Sequence, residues 1–215
     1  MIYLITSGQT ATTTTSASKD FSHLLRLVEA AAAAEVNFVQ LREKNLSGRT
    51  LFEVTARAAE IVRSTSTRLL VNDRADIAMG AGAHGVHLTS RSMNASVVRR
   101  TFGLDFIVGA STHSIAEARA AEKEGADFVV FGPVFDTASK QAYGQPLGVT
   151  ALHNVVSTLP GLPILALGGI TLENVSACLD AGAIGIAAIR LLQDPAKLSK
   201  VVSQIRENFG IRRDG

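Results

Sequence analysis

"EGADFVVFG", residues 124–132, has two echoes in the chain: "AGAHGVHL" at 81–88 and "AGAIGIAAI" at 181–189. In each, a glycine closes what reads as a helix, and a short apolar run begins within a few residues. A helix that hands over to a strand through so short a link is the join of a βαβ unit. Three such joins predict repeated units of that kind. Working outward from them, β-rich apolar runs fall at 3–6, 38–41, 69–72, 85–88, 106–109, 128–131, 164–167 and 185–187. Between them, apolar residues at helical spacing mark 21–35, 51–64, 95–101, 115–124, 149–158, 172–181 and 198–208, most opened by a Ser, Thr or Asp cap signal. About eight strands alternating with helices predict a closed (β/α)8 TIM barrel forming a single domain over 1–215, rather than an open doubly wound sheet. No Gly-x-Gly-x-x-Gly sequence follows the first strand, which weakens a dinucleotide-binding reading.

Composition supports a sheet covered on both faces. The chain has no tryptophan and only 5% aromatic residues, yet 47% of it is hydrophobic, so the core must be built largely from Ala, Val, Ile and Leu. A net charge of +2 leaves no electrostatic footprint for nucleic acid or an anionic membrane, while small anions remain open as ligands. The one cysteine, Cys178, forms no internal disulfide and reads as a small helix-packing residue. The start "MIYLITSG" lacks the charged region of a signal peptide, and no run approaches the ~18 apolar residues of a membrane span. A soluble, cytoplasmic protein is expected.

A barrel of this kind carries its chemistry at the C-terminal ends of the strands. The residues collected there are Gln40, Arg42 and Lys44; Asn72, Asp73 and Arg74; Ser90 and Ser92; Ser111 and His113; Thr137, Ser139 and Lys140; Gly168 and Gly169; and Arg190. Cations, hydroxyls and amides dominate, with no cysteine nucleophile and no Ser-His-Asp arrangement, so the set reads as a phosphate site. Gln40, Arg42 and Lys44 alternate at period two and face one way if the strand continues through them. Gly168 and Gly169 permit close backbone approach to a ligand, and the N-terminus of the following helix would help to hold a phosphate. Asp73 is the carboxylate best suited to magnesium, with capping of the next helix or pairing with Arg74 as its competing roles. His87 and His113 read more readily as hydrogen-bonded structural residues than as catalytic bases. The Thr/Ser-rich stretch 7–20 reads as a flexible active-site loop after the first strand.

Taken in order, "QLREK" (40–44), "VNDRADIA" (71–78), "GVHL" (85–88), "GASTHS" (109–114), "FGPVFDTASK" (131–140) and "LGGI" (167–170) resemble the thiamine-phosphate synthase and thiazole tautomerase superfamily, most of all its synthases. The resemblance implies a (β/α)8 barrel. It also implies a transferase of thiamine biosynthesis that couples hydroxymethylpyrimidine diphosphate to hydroxyethylthiazole phosphate, with magnesium, and releases diphosphate. By resemblance, Gln40, Arg42, Lys44, Asn72, Ser111 and Lys140 hold the pyrimidine and its diphosphate, with Lys140, Arg42 and Ser111 as the catalytic set and Asp73 on the metal. Thr137, Ser139, Gly168, Gly169, Ile189 and Arg190 hold the thiazole phosphate. The partners implied are these two small substrates, with neither nucleic acid nor membrane and with a homo-oligomer left open.

The chain departs from the family pattern at several places. Ser92 stands where a second metal-binding aspartate is expected, so magnesium rests on Asp73 alone. Arg190 replaces a serine, and Ser7 replaces an aspartate after the first strand. Pro133 stands where the tautomerases carry their catalytic histidine. A thiazole tautomerase-like isomerase and a non-catalytic phosphate-ligand-binding regulatory barrel are the competing readings.

Overall fold

In the computed structural model, which describes residues 1–136 and 145–209, the three echoed joins are built alike. Gly82, Gly125 and Gly182 take φ values of 76°, 90° and 93°, where a side chain would be penalised. Each donates its N–H three residues back, to the carbonyls of Met79, Glu122 and Leu179. The alanine after each then donates five residues back: Ala83 to Ala78, Ala126 to Ala121 and Ala183 to Cys178. This paired pattern satisfies the last helical carbonyls and turns the chain into the next strand. The residue before each strand bonds the neighbouring strand at once, His84 N to Leu69 O, Asp127 N to Val108 O and Ile184 N to Ile164 O.

The strands are β1 (Ile2–Ile5), β2 (Phe38–Leu41), β3 (Arg68–Asn72), β4 (Gly85–Leu88), β5 (Ile107–Thr112), β6 (Phe128–Phe131), β7 (Ile164–Leu167) and β8 (Gly185–Ala188). They form a closed barrel in chain order, the (β/α)8 fold. The helices among the described residues are α1 (Lys19–Ala33), α2 (Gly48–Val62), α3 (Ala75–Gly80), α4 (Ala95–Phe102), α5 (Ile115–Lys123), α6 (Gly148–Thr158), α7 (Val175–Asp180) and α8 (Pro195–Phe209). The chain divides into two compact units. One holds Ile2–His87 and Ile189–Ser203; the other holds Met1, Leu88–Ala188 and the chain from Gln204.

In the first unit β1, β2, β3 and β4 pair in parallel, with Ile5 opposite Gln40 and Asn72 opposite His87. Its strands are buried along almost their whole length, and Tyr3, Leu4, Leu41, Leu69 and Leu70 are among the largest fully enclosed side chains. In the second unit β5, β6, β7 and β8 pair in parallel, with Ser111 opposite Val130 and Phe131 opposite Ala166. Continuous burial of this kind explains why the strands read as apolar runs rather than alternating ones.

Three expectations are corrected here. The fifth strand runs on through Thr112, so Ser111 lies within it and not after it: hydroxyl residues fit a ladder whose partners are Val130 and Phe131. A helix at Ala75–Gly80 had no counterpart in the sequence reading, because six residues are too few to show a period. The helix expected over 172–181 begins only at Val175. Asn174 accepts from Thr171 N at 2.8 Å and donates to Gly169 O at 2.9 Å, which spends the preceding residues on a turn. No helix of the described residues is long and apolar enough to cross a membrane.

Candidate active site

At the end of β2 the chain leaves strand geometry after Leu41, so the period-two alignment of Gln40, Arg42 and Lys44 does not form. Gln40 is buried in the strand and donates from Nε2 to the Tyr3 hydroxyl at 2.7 Å. Arg42 is half-buried, and Lys44 is exposed in a turn. The residue between them was not singled out from sequence. Glu43 is 4% exposed and accepts four hydrogen bonds from the segment after β1. Its Oε1 receives the Thr6 hydroxyl (2.5 Å) and Gly8 N–H (3.2 Å); its Oε2 receives Thr10 N–H (3.3 Å) and the Thr10 hydroxyl (2.7 Å). Thr6 Oγ1 also accepts the Arg42 N–H at 2.9 Å.

The Thr/Ser-rich stretch after β1 therefore has defined partners. Asn45 donates to Thr10 O, and Thr14 caps the turn at Ala11 and bonds Asp20, whose carboxyl it holds below the ordinary carboxylate range. Gln193 accepts Ser7 N–H at 3.1 Å and donates to Ile5 O at 2.8 Å. That bond pair fixes the chain after the 3-10 helix Arg190–Leu192, which Ile189 opens and on which Arg190 is exposed.

At the end of β3, Asn72 is buried and donates from Nδ2 to Asp73 Oδ2 at 2.8 Å. Asp73 takes φ 61°, a left-handed conformation that aspartate tolerates better than most residues, and its N–H bonds His87 O at 3.0 Å. Arg74 places its guanidinium on Asp76 through two bonds, at 2.8 and 2.6 Å. Arg74 itself occupies the N-cap of α3, so Asp73 does not cap that helix. His87 lies in β4, 2% exposed beside the Tyr3 ring; burial pushes it down to about 4, against the opposing pull of Asp73. It is a neutral imidazole at neutral pH.

In the second unit, Ser111 is half-buried in β5. His113 is exposed; its N–H and its Nδ1 both meet Glu117 Oε2, at 2.8 and 3.0 Å, at the start of α5. Ser92 closes the turn after β4, where its hydroxyl accepts Thr89 N–H at 2.7 Å. Gly168 and Gly169 have a packing reason to be glycine. A Cβ on Gly168 would lie 2.6 Å from Pro133 Cα, and one on Gly169 would lie 2.4 Å from Asp136 O and 2.7 Å from Phe135 Cβ. The space is taken by protein backbone, which continues the β7 ladder through Val134 N to Leu167 O and Phe135 N to Gly168 O. Leu147 N and Gly148 N return to Pro133 O and Val134 O, so both flanks of the segment 137–144 are tied to one another. Thr137, Ser139 and Lys140 themselves lie outside the described residues.

Cys178 is enclosed in α7, its thiol pushed up to about 11 by burial, and takes no part in chemistry. No cluster of three or more His, Cys, Asp or Glu with metal-binding geometry occurs among the described residues. A metal with several protein ligands does not fit this donor set. A hard cation held by one carboxylate and by the phosphate oxygens of a substrate does, and Asp73 offers a carboxylate at the end of β3.

The profile of the family described as thiamine monophosphate synthase matches residues 3–192, from β1 through the 3-10 helix. The chain belongs to the thiamine monophosphate synthase family. A Geobacter sulfurreducens protein with a provisional thiamine-phosphate synthase name is 45% identical over 173 residues, 80% of this chain and 81% of that one. The thiamine-phosphate synthase of Methanoculleus marisnigri is 37% identical over 183 residues, covering 85% and 86% of the two chains. Among solved structures, the thiamine phosphate pyrophosphorylase of Pyrococcus furiosus superposes with a TM-score of 0.79 at 27% identity, over 97% of this chain and 95% of that one.

Proposed function

We propose that this family member is a thiamine-phosphate synthase, a transferase that joins a pyrimidine methyl diphosphate to a thiazole phosphate and releases diphosphate. The observation that carries the reading is the family match over almost the whole barrel, at identities that place named synthases among its relatives. Diphosphate departs from a benzylic-type carbon with the C–O bonding pair. The thiazole nitrogen lone pair then captures the resulting pyrimidine methylene cation. Neither step needs a proton carrier, so the protein's task is to stabilise negative charge developing on the leaving group and to exclude water.

The assignments are those that the family resemblance implies, and each suits the chemistry of its residue. Gln40 and Asn72, both buried amides at strand ends, orient the pyrimidine. Arg42, Lys44, Ser111 and Lys140 bind its diphosphate, with Arg42 and Lys140 opposing the charge that develops as it leaves. Magnesium, when bound, is held by Asp73 together with the diphosphate oxygens and adds positive charge there. Thr137, Ser139, the backbone of Gly168 and Gly169, and the Ile189–Arg190 pair take the thiazole phosphate. An isomerase of the tautomerase kind is disfavoured by Pro133, which occupies the place of the proton-carrying histidine and packs on Gly168.

A cytoplasmic location is the proposal that accords with work on two small phosphorylated metabolites. Incubating the purified protein with both substrates and magnesium tests the reading: thiamine phosphate and diphosphate are expected in equal amounts. Folded protein that yields neither above a one-substrate control overturns it.

A further inference from the structure

We infer that Glu43 is a positioning residue for diphosphate recognition: its carboxylate locks residues 6–10 onto Arg42 and so sets the place of that guanidinium. The inference deepens the proposed function and rests on it. An acidic side chain between Arg42 and Lys44 is a poor neighbour for an anionic substrate unless its charge is spent elsewhere. Here it is spent on four donors, two of them hydroxyls and two backbone N–H groups. The consequence reaches Arg42 by two routes. Thr6 donates its only hydroxyl proton to Glu43, which leaves a lone pair to receive the Arg42 N–H. Gly8, held through its own N–H, is pressed so close that a Cβ there would stand 3.0 Å from Arg42 O and 3.6 Å from Arg42 Nη1. The loop is thus a wall along both the backbone and the head of the arginine.

The bonding pattern makes the carboxylate irreplaceable by its neutral isostere. Oε1 receives the Gly8 N–H and Oε2 the Thr10 N–H. A hydroxyl can turn round to accept, but a backbone N–H cannot. In Glu43→Gln the new NH2 group therefore faces a fixed donor whichever way the amide is flipped, and one side of the loop is released. Thr10→Val removes a single hydroxyl donor and keeps both backbone bonds, so it is the graded control.

The test titrates wild type, Glu43→Gln and Thr10→Val with inorganic diphosphate in the presence of magnesium by calorimetry, with urea unfolding in parallel. Steady-state kinetics in each substrate accompany them. Glu43→Gln is expected to weaken diphosphate binding about tenfold or more and Thr10→Val about threefold. KM for the pyrimidine diphosphate should rise while KM for the thiazole phosphate holds. Unchanged diphosphate affinity in Glu43→Gln, or an equal rise in both KM values, overturns the inference and leaves Glu43 a structural residue only. Wild-type protein that binds no diphosphate removes the proposed function and this inference with it. Should Glu43→Gln fail to fold, Gly8→Ala probes the same wall from the other side: it is expected to weaken diphosphate binding, and an unchanged affinity overturns the inference equally.

Discussion

Replacing Gly169 by alanine tests why the twin glycines are there. The residue sits at φ 65°, where an L side chain costs roughly 1–2 kcal/mol. The added methyl would lie 2.4 Å from Asp136 O, 2.7 Å from Phe135 Cβ and 2.9 Å from Phe135 C, contacts that force backbone to move. Overpacking of that kind costs about 1–3 kcal/mol. Together the two effects predict a loss of roughly 2–5 kcal/mol, or a fall in Tm of about 4–20 °C for a chain of this size. Gly148 supplies the control: its φ is 81°, yet nothing lies within 4 Å of a Cβ placed there. Gly148→Ala should therefore pay only the backbone cost of roughly 1–2 kcal/mol. Urea unfolding followed by far-UV circular dichroism measures both, and the difference isolates the packing term. Equal stabilities for the two alanine variants would refute the argument that Gly169 is glycine because residues 135–136 occupy its side-chain space. Asp136 leads directly into 137–144, so turnover by Gly169→Ala should fall even at temperatures where the variant stays folded.

Two further outcomes follow from the buried polar residues of the first unit. His87 is held neutral by burial at about 4, below its ordinary value near 6.5, so the unfolded chain binds a proton that the folded chain refuses between these limits. The stabilisation is fully present above pH 6.5 and drains away as pH falls towards 4, by about 3 kcal/mol in all; denaturation midpoints measured from pH 7 to pH 4 should show this slope. That share of the slope should be lost in His87→Phe, which keeps a ring beside Tyr3, leaving the share of His84, which burial and then Arg68 also lower; an undiminished slope in that variant would place its source elsewhere. Tyr3→Phe deletes the hydroxyl that accepts from Gln40 Nε2. A buried donor left short of an acceptor costs about 1–3 kcal/mol, and KM for the pyrimidine substrate should rise alongside. Wild-type stability and KM together would show that Gln40 is oriented by other groups.

The parts of the fold that were legible in the sequence are those set by local rules. Gly82, Gly125 and Gly182 announce the helix ends because only a residue without a side chain takes their φ cheaply, and the apolar runs after them announce strands buried on both faces. What stayed hidden depends on partners distant in sequence. Thr112 reads as the start of a loop until Phe131 stands opposite it. Gly168 and Gly169 show no packing role in the sequence, because the neighbours that fill their side-chain space, Pro133 and Asp136, lie more than thirty residues away and no local pattern announces that fit.

Glu43 is the most instructive of the hidden residues. Its neighbours Arg42 and Lys44 are legible because positive charge suits phosphate, a logic that assigns no role to the carboxylate between them. The signal that would have exposed it was nevertheless present: an acidic residue two positions past a buried strand, and a threonine-rich stretch after the preceding parallel strand able to supply its donors. Burying a carboxylate costs several kcal/mol unless its oxygens are filled, so a glutamate enclosed to 4% exposure identifies its donors as a unit with it. On that argument Thr6 and Thr10 are there as donors to Glu43. They are the second half of a motif whose first half is "QLREK", and the register of β1 against β2, with Ile5 opposite Gln40, is what brings the halves together.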